Sequence, residues 1–293
     1  EGQADADRDA TAGRRAAGRT TGDHEHAAEK SRRAAKAQDE NAMVLGEVWE
    51  DASNKVAYGR RRRYYTGRQL DGVMNYELRR GILQFLRHHR IDALRYALTE
   101  VMPNTPKRIL DCQMNLIGTH DTMRILTALG GEAPEGHTND ELAVMHLDTE
   151  ERREAVCLLK IAYTILATLP GVPMIYYGDE AGMEGDSDPF NRRPFPWSNV
   201  DQDLLSFYRQ IGKIRHSRDE YREGAFRLLR LDTESLAFSR TSDHRIVLTI
   251  VNHSDTSRIW ILPAGEWKNL LTEETVSGNF STAPHTAVIL GNI

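Results

Sequence analysis

Ala42-Met43-Val44-Leu45-Gly46-Glu47-Val48-Trp49 is an apolar run that stops at a carboxylate. Asn115-Leu116-Ile117-Gly118-Thr119-His120-Asp121 repeats the pattern and ends in an imidazole and a second carboxylate. A strand buried in a parallel sheet reads as a continuous apolar run and presents its functional side chains at its carboxyl end. A third stretch, Gly171-Val172-Pro173-Met174-Ile175-Tyr176-Tyr177-Gly178-Asp179-Glu180, closes in the same way. Three such ends predict one carboxylate-based site at the rim of a parallel sheet.

Outward from these runs the chain alternates. Strands are predicted over residues 42–46, 71–75, 113–118 and 172–177. Helices are predicted over 78–88, 92–100 (stopped before Pro103), 150–169 and 203–217. In the third helix Ala155, Leu158, Leu159, Ala162 and Leu166 form an apolar stripe, and in the fourth Leu204, Phe207, Ile211 and Ile214 do. Such alternation implies an α/β fold with crossover helices. Past residue 221 the period shortens to β-rich runs at 225–230, 236–240, 245–251, 258–262 and 286–290, which predicts an all-β, sandwich-like module. The expected organisation is residues 1–40 as a disordered or aberrant segment, 41–220 as a partial barrel and 221–293 as the β module.

Residues 1–36 contain almost no large apolar side chain, so they bury too little surface to offset their ordering entropy. Disorder is expected there, with helix confined to residues 27–36. His24 and His26 do not share a helix face, so a solvated cluster is the plainer reading than a metal site. The first residue is Glu, which suggests a processed chain or fragment. The Arg/Ala/Gly/Thr-rich composition is also what out-of-frame translation of a GC-rich gene yields.

The formal net charge of −5 argues against nucleic acid as a partner. No apolar stretch reaches bilayer-spanning length, so no membrane partner is expected. The two cysteines, Cys112 and Cys157, lack metal-ligand spacing and fit a reduced, cytoplasmic protein. No phosphate loop, zinc pattern or Ser-His-Asp order occurs, and neither a cofactor nor a metal is expected.

Cleaving a glycosidic bond takes two carboxyl groups, one to protonate the leaving oxygen and one to attack or to activate water. Glu47 is the candidate acid, with its pKa expected to rise at an apolar strand end. Asp121, beside His120, can stabilise a cationic transition state. Taken alone, a glutamate after a strand such as Glu47 is more often a surface or cap residue, and His120-Asp121 is equally compatible with a helix N-cap.

Together the motifs resemble glycoside hydrolase family 13, the α-amylase family, and within it the neopullulanase and cyclomaltodextrinase branch. Gly46–Trp49 resembles the strand-five motif, whose glutamate is the acid/base. Asp71-Gly72-Val73-Met74-Asn75-Tyr76 is similar to strand six, Asn115–Asp121 to strand seven and Gly171–Glu180 to strand eight. Asp188-Pro189-Phe190-Asn191-Arg192 resembles the following loop. By this resemblance Glu47 and Asp121 are catalytic, and His120, Trp49, Asp188 and Arg192 bind substrate. The substrates are α-1,4-glucans, maltooligosaccharides or cyclodextrins, and the mechanism is retaining. The implied fold is the C-terminal half of a (β/α)8 TIM barrel, strands five to eight, followed by a β-sandwich domain. The resemblance runs from about Asn41 to the C-terminus.

One departure matters. The family's nucleophile is an aspartate two residues after an arginine at the end of strand four, and no such pair precedes Glu47. The strand-one motif and the dimerising N-terminal module are also unmatched, although an oligomer of the intact enzyme stays possible. A chain without the nucleophile is expected to turn over slowly or not at all. Half a barrel also leaves two exposed strand edges. The alternatives are a non-catalytic carbohydrate-binding protein and a non-functional remnant.

Other features take plainer readings. The basic run at 60–63 is expected to be an exposed face, and His88-His89 a solvated helix end. Trp49 could stack on a sugar or simply pack. Trp197, Trp260 and Trp267 are expected to pack, and Tyr176 and Tyr177 to lie in the barrel core.

Overall fold

The computed structural model describes residues 21–57, 59–66, 69–131, 136–243 and 245–293. Four short parallel strands form the first sheet: β1 (Leu45–Gly46), β4 (Gly72–Asn75), β5 (Met114–Asn115) and β6 (Val172–Pro173), adjacent in that order. Leu45 pairs with Gly72, Asn75 with Asn115, and Asn115 with Pro173. Between β1 and β4 an exposed hairpin, β2 (Val56–Ala57) and β3 (Arg60–Arg61), carries part of the basic run. The strands are shorter than expected, because ladder pairing ends while the apolar runs continue. Leu116 and Ile117 are buried without belonging to β5.

Helix α1 (Thr21–Gln38) leads into β1. It covers the helix expected over residues 27–36 and begins six residues before Ala27, where disorder was expected. Arg32 and Lys36 reach Asp71 at 2.7 and 3.3 Å, and Asp71 also accepts from the Val44 amide at 3.0 Å. A segment with few apolar residues is thus held by charge rather than by a core. The side chains of His24 and His26 lie outside the described residues, as do residues 1–20.

After β4 comes α2 (Tyr76–His88), capped by the Asn75 side chain, which accepts from Leu78 N at 3.2 Å. Helix α3 (Asp92–Tyr96) does not stop before Pro103: a π-turn at Ala97–Val101 carries the chain into a helical turn at Met102–Asn104. A π-turn shifts the hydrogen-bond register, so the missing proline N–H falls where it is tolerated. Two short helices, α4 (Ile125–Gly130) and α5 (Asn139–Val144), follow β5. Helix α6 (Thr149–Thr168) opens with a capping box between Asp148 and Glu151. Helix α7 (Gln202–His216) is capped by Asp201.

The β module has a six-stranded antiparallel sheet built from β7 (Ala225–Asp232), β8 (Ser235–Ser242), β9 (Arg245–Asn252), β11 (Trp267–Asn269), β12 (Thr275–Val276) and β14 (Thr286–Asn292). A second pair, β10 (Arg258–Ile261) with β13 (Asn279–Thr282), covers it. Period-two alternation sends Leu236, Phe238, Val247, Val251 and Ile289 toward the helices, in one core with Leu159, Ile165 and Leu169 of the α6 region. The intervening Ala237, Leu248, Ile250 and Leu290 pack with Trp267 and partly buried Trp260. The sheet is therefore sandwiched between α6 and the β10–β13 pair. Buried Arg240 pins the seam, donating to the carbonyls of Gly224, Tyr221 and Thr168 at 3.1–3.3 Å.

Candidate active site

The parallel register brings the carboxyl ends of all four strands side by side. Glu47 is the first residue past β1. The next strand, β4, ends at Asn75, and Tyr76 opens α2 beside Glu47. Tyr76 Oη donates to Glu47 Oε1 at 3.3 Å, and its ring stacks on Trp49 with centroids 3.8 Å apart. Burial pushes the Tyr76 hydroxyl up to about 12, with the Glu47 and Asp121 carboxylates adding to the rise, so it stays a donor. Trp49 packs one face on Tyr76 yet remains 48% exposed.

Asn75 Nδ2 donates to Asn115 Oδ1 at 2.9 Å, and Asn115 Nδ2 to the Pro170 carbonyl at 2.8 Å. These rungs lock β4, β5 and the entry to β6 together. Beyond β5 the chain is buried through Thr119 and emerges at His120 and Asp121. The loop after β6 folds back over them. Buried Asn191 donates to the carbonyls of His120 and Thr122 at 2.8 and 2.9 Å. Arg192 donates through Nε to the His120 carbonyl at 3.0 Å and through Nη2 to Asp121 at 3.1 Å, and its Nε lies 3.0 Å from an Asp188 carboxylate oxygen as an ion pair. His120 Nε2 lies 3.3 Å from the other Asp121 oxygen.

Behind this rim sits a buried pair, Arg124 and Asp179, with Nη1 3.3 Å from Oδ1. The guanidinium is flanked by the Tyr176 and Tyr177 rings at 4.3 and 4.6 Å. Burial pushes Asp179 up to about 7 against the opposing pull of Arg124. Gly118 is required beside it: a Cβ there would stand 2.2 Å from Asp179 Oδ2.

All six residues expected at the site stand on this rim. Donor atoms of Glu47, His120 and Asp121 lie within 4.8 Å of one another, and among the described residues this is the group close enough to hold a metal ion. Asp188 and Arg192 join through Asp121, and Trp49 through Tyr76. Glu47 is exposed, which corrects the expectation of apolar surroundings: among the described residues β1 has a strand on one side only. Tyr177, 40% exposed, corrects its placement in the core, and so does Trp197 at 85% for packing. Tyr76, Asn191 and Arg124 were not singled out. For Tyr76 a signal existed, since it follows the strand end Asn75 next to Glu47's strand.

The chain is similar to known proteins over most of its length. Residues 4–225 match the family described as "Alpha amylase, catalytic domain", a match that begins well before Asn41. A cyclomaltodextrinase of Thermoanaerobacter pseudethanolicus is 31% identical over 276 residues, which is 92% of this chain and 42% of that protein. Neopullulanase 2 of Thermoactinomyces vulgaris is 29% identical over 277 residues, 89% of this chain and 42% of that protein. The chain thus spans less than half the length of these two relatives. Among solved structures, the cyclic α-maltosyl-(1→6)-maltose hydrolase of Arthrobacter globiformis superposes with a TM-score of 0.72 at 25% identity, covering 90% of this chain and 53% of that one.

Proposed function

The chain belongs to the alpha-amylase family, and from that premise we propose that it carries the acid/base side of a retaining glycosidase site for α-1,4-glucans, maltooligosaccharides or cyclodextrins. The observation that carries this reading is the convergence of Glu47, His120 and Asp121 within 4.8 Å, beyond the carboxyl ends of β1 and β5, which flank β4 in one parallel sheet. Glu47 would protonate the leaving glycosidic oxygen, then deprotonate water in the second half-reaction. Asp121, fixed by Arg192 and His120, would face the positive charge that develops at the anomeric carbon. Trp49 would stack on a sugar ring, and Asp188, Arg192 and His120 would bind hydroxyls.

An oxygen of Glu47 and one of Asp121 lie within 4.8 Å of each other, so the two carboxylates face one site. Asp121 is nevertheless engaged by Arg192 on one oxygen and His120 on the other, which suits a stabiliser better than an attacking group. No Arg-x-Asp in the residues before Glu47 supplies the family's nucleophile. We therefore infer slow or absent turnover by this chain, with sugar binding retained. Both cysteines are free, which suits a cytoplasmic setting, and among the described residues no helix is long and apolar enough to cross a membrane. The division at about residue 220 is proposed as the limit of the barrel portion.

The test is calorimetry with maltotriose alongside reducing-sugar release, for the unaltered chain and Glu47→Gln. Binding with little release supports the reading. Rapid hydrolysis that Glu47→Gln abolishes, with a fluorinated glycosyl fluoride labelling Asp121, would reassign Asp121 as the nucleophile.

A further inference from the structure

The loop that leaves the site at Arg192 continues as Arg193-Pro194-Phe195-Pro196-Trp197. Trp197 is 85% exposed, against 48% for Trp49, and its ring lies 4.6 Å from that of Phe195. A single exposed apolar residue is ordinary on a protein surface. This one is presented on a fixed mount. The Arg193 carbonyl accepts from Tyr177 Oη at 2.9 Å, and the Arg193 guanidinium donates to the Ala143 carbonyl at the end of α5. Pro194 and Pro196 restrict φ on either side of Phe195, and the Trp197 and Asn199 amides close turns onto the Phe195 and Pro196 carbonyls at 3.0 and 2.9 Å.

Through Arg193, Pro194 and Pro196 the loop lines a cavity of about 540 Å³ with His146, Glu184 and Asp201, and Phe195 and Trp197 stand outside that lining, on the neighbouring surface. A glucose ring has an apolar face that packs on an indole and a rim of hydroxyls that pair with amide, carboxylate and imidazole groups. Five residues of chain reach at most about 18 Å, which bounds the distance from Arg192 to Trp197. We propose that Trp197, backed by Phe195, is a stacking platform for the distal part of an α-glucan chain whose proximal unit is held by Asp188 and Arg192. The proposal rests on the glucan reading of the site and specifies chain-length preference. The platform costs little ordering entropy on binding because the prolines and the Arg193 anchors already fix it.

The experiment is calorimetric titration of the full chain with maltotriose and with maltoheptaose, for the unaltered protein, Trp197→Ala, Trp197→Phe and Arg192→Ala. The expected result is a loss of about fivefold or more in maltoheptaose affinity for Trp197→Ala, an unchanged maltotriose affinity, and partial recovery in Trp197→Phe. Arg192→Ala weakens both sugars. Unchanged maltoheptaose binding in Trp197→Ala overturns the platform alone, as does an equal loss for both sugars. Absence of binding of either sugar to the unaltered chain overturns the glucan reading and the platform together. Trp197 is at the surface, so a thermal midpoint equal to that of the unaltered chain shows that the variant is folded.

Discussion

Tyr76 gives its hydroxyl hydrogen to Glu47 at 3.3 Å while its ring supports the indole of Trp49 at 3.8 Å. One buried side chain on α2 therefore touches both the acid candidate and the sugar-facing aromatic candidate that follow β1. The two contributions separate by substitution. Tyr76→Phe removes the hydrogen bond alone and is expected to cost about 0.5–1.5 kcal/mol in stability. Tyr76→Ala also removes the ring, should cost about 3–5 kcal/mol, and frees Trp49. Urea unfolding measures the first effect, and maltotriose titration is expected to show weaker binding for Tyr76→Ala than for Tyr76→Phe. Equal losses for the two variants would contradict a supporting role for the ring.

The strand ends were legible because a carboxylate at the close of an apolar run needs no partner to be noticed. Glu47 and Asp121, with His120 beside it, are visible in this way, whereas Asp188 and Arg192 came only with the resemblance to the family's loop motif. Asn191 and Arg124 were not legible: their importance lies in carbonyls and rings contributed by segments more than fifty residues away. The helix over residues 27–36 was legible from its Ala- and Lys-rich composition, but its anchor was not, because Arg32 and Lys36 pair with Asp71, far along the chain. Trp197 was read as packing because exposure is a tertiary property.

Arg192 bridges three acceptors: Asp121, Asp188 and the His120 carbonyl. The guanidinium reaches them from two separate nitrogens, Nε and Nη2, held in a fixed fork, whereas an ammonium would have to reach all of them from one nitrogen. Arg192→Lys is expected to keep the charge yet weaken maltotriose binding roughly tenfold, equivalent to about 1.4 kcal/mol. Arg192→Lys with unaltered binding by calorimetry would show that charge alone suffices.

Asp71 anchors α1 through Arg32 and Lys36 and also accepts from Val44 at the start of β1. Asp71→Ala removes all three contacts and is expected to cost about 1.5–3 kcal/mol, the range for charge-assisted bonds. Limited proteolysis followed by mass spectrometry should show new cleavage within residues 21–38 of α1. Asp71→Asn, which keeps an acceptor for Val44, should fall between. Equal protease resistance in all three proteins would mean that α1 is held by something other than this carboxylate.

The pH dependence of stability pits two buried groups against each other. His253, 2% exposed, stacks on His89 at 4.4 Å and meets His285 edge-on at 5.5 Å, with Asp255 pairing His285 at 2.9 Å. Burial, reinforced by the two neighbouring imidazoles, lowers His253 from 6.5 to about 4. Between these values the unfolded chain takes up a proton that the folded chain refuses, so this group's stability is lost as pH falls from 6.5 toward 4. Asp179 runs the other way. Its folded pKa is raised from 3.8 to about 7, so its contribution is complete at low pH and is lost as pH rises through that window. Each effect is at most about 3–4 kcal/mol at its limit, and the two slopes overlap and oppose. The unaltered protein is therefore expected to show a shallow pH profile in urea unfolding between about pH 4.5 and 7.5. His253→Leu should uncover a stability that falls as pH rises, and Asp179→Asn one that falls as pH drops. Asp179→Asn should also lower stability above about pH 7, where the ionised carboxylate would otherwise serve as the buried counter-charge of Arg124. Three parallel profiles would show that neither group titrates differently in the folded and unfolded chains.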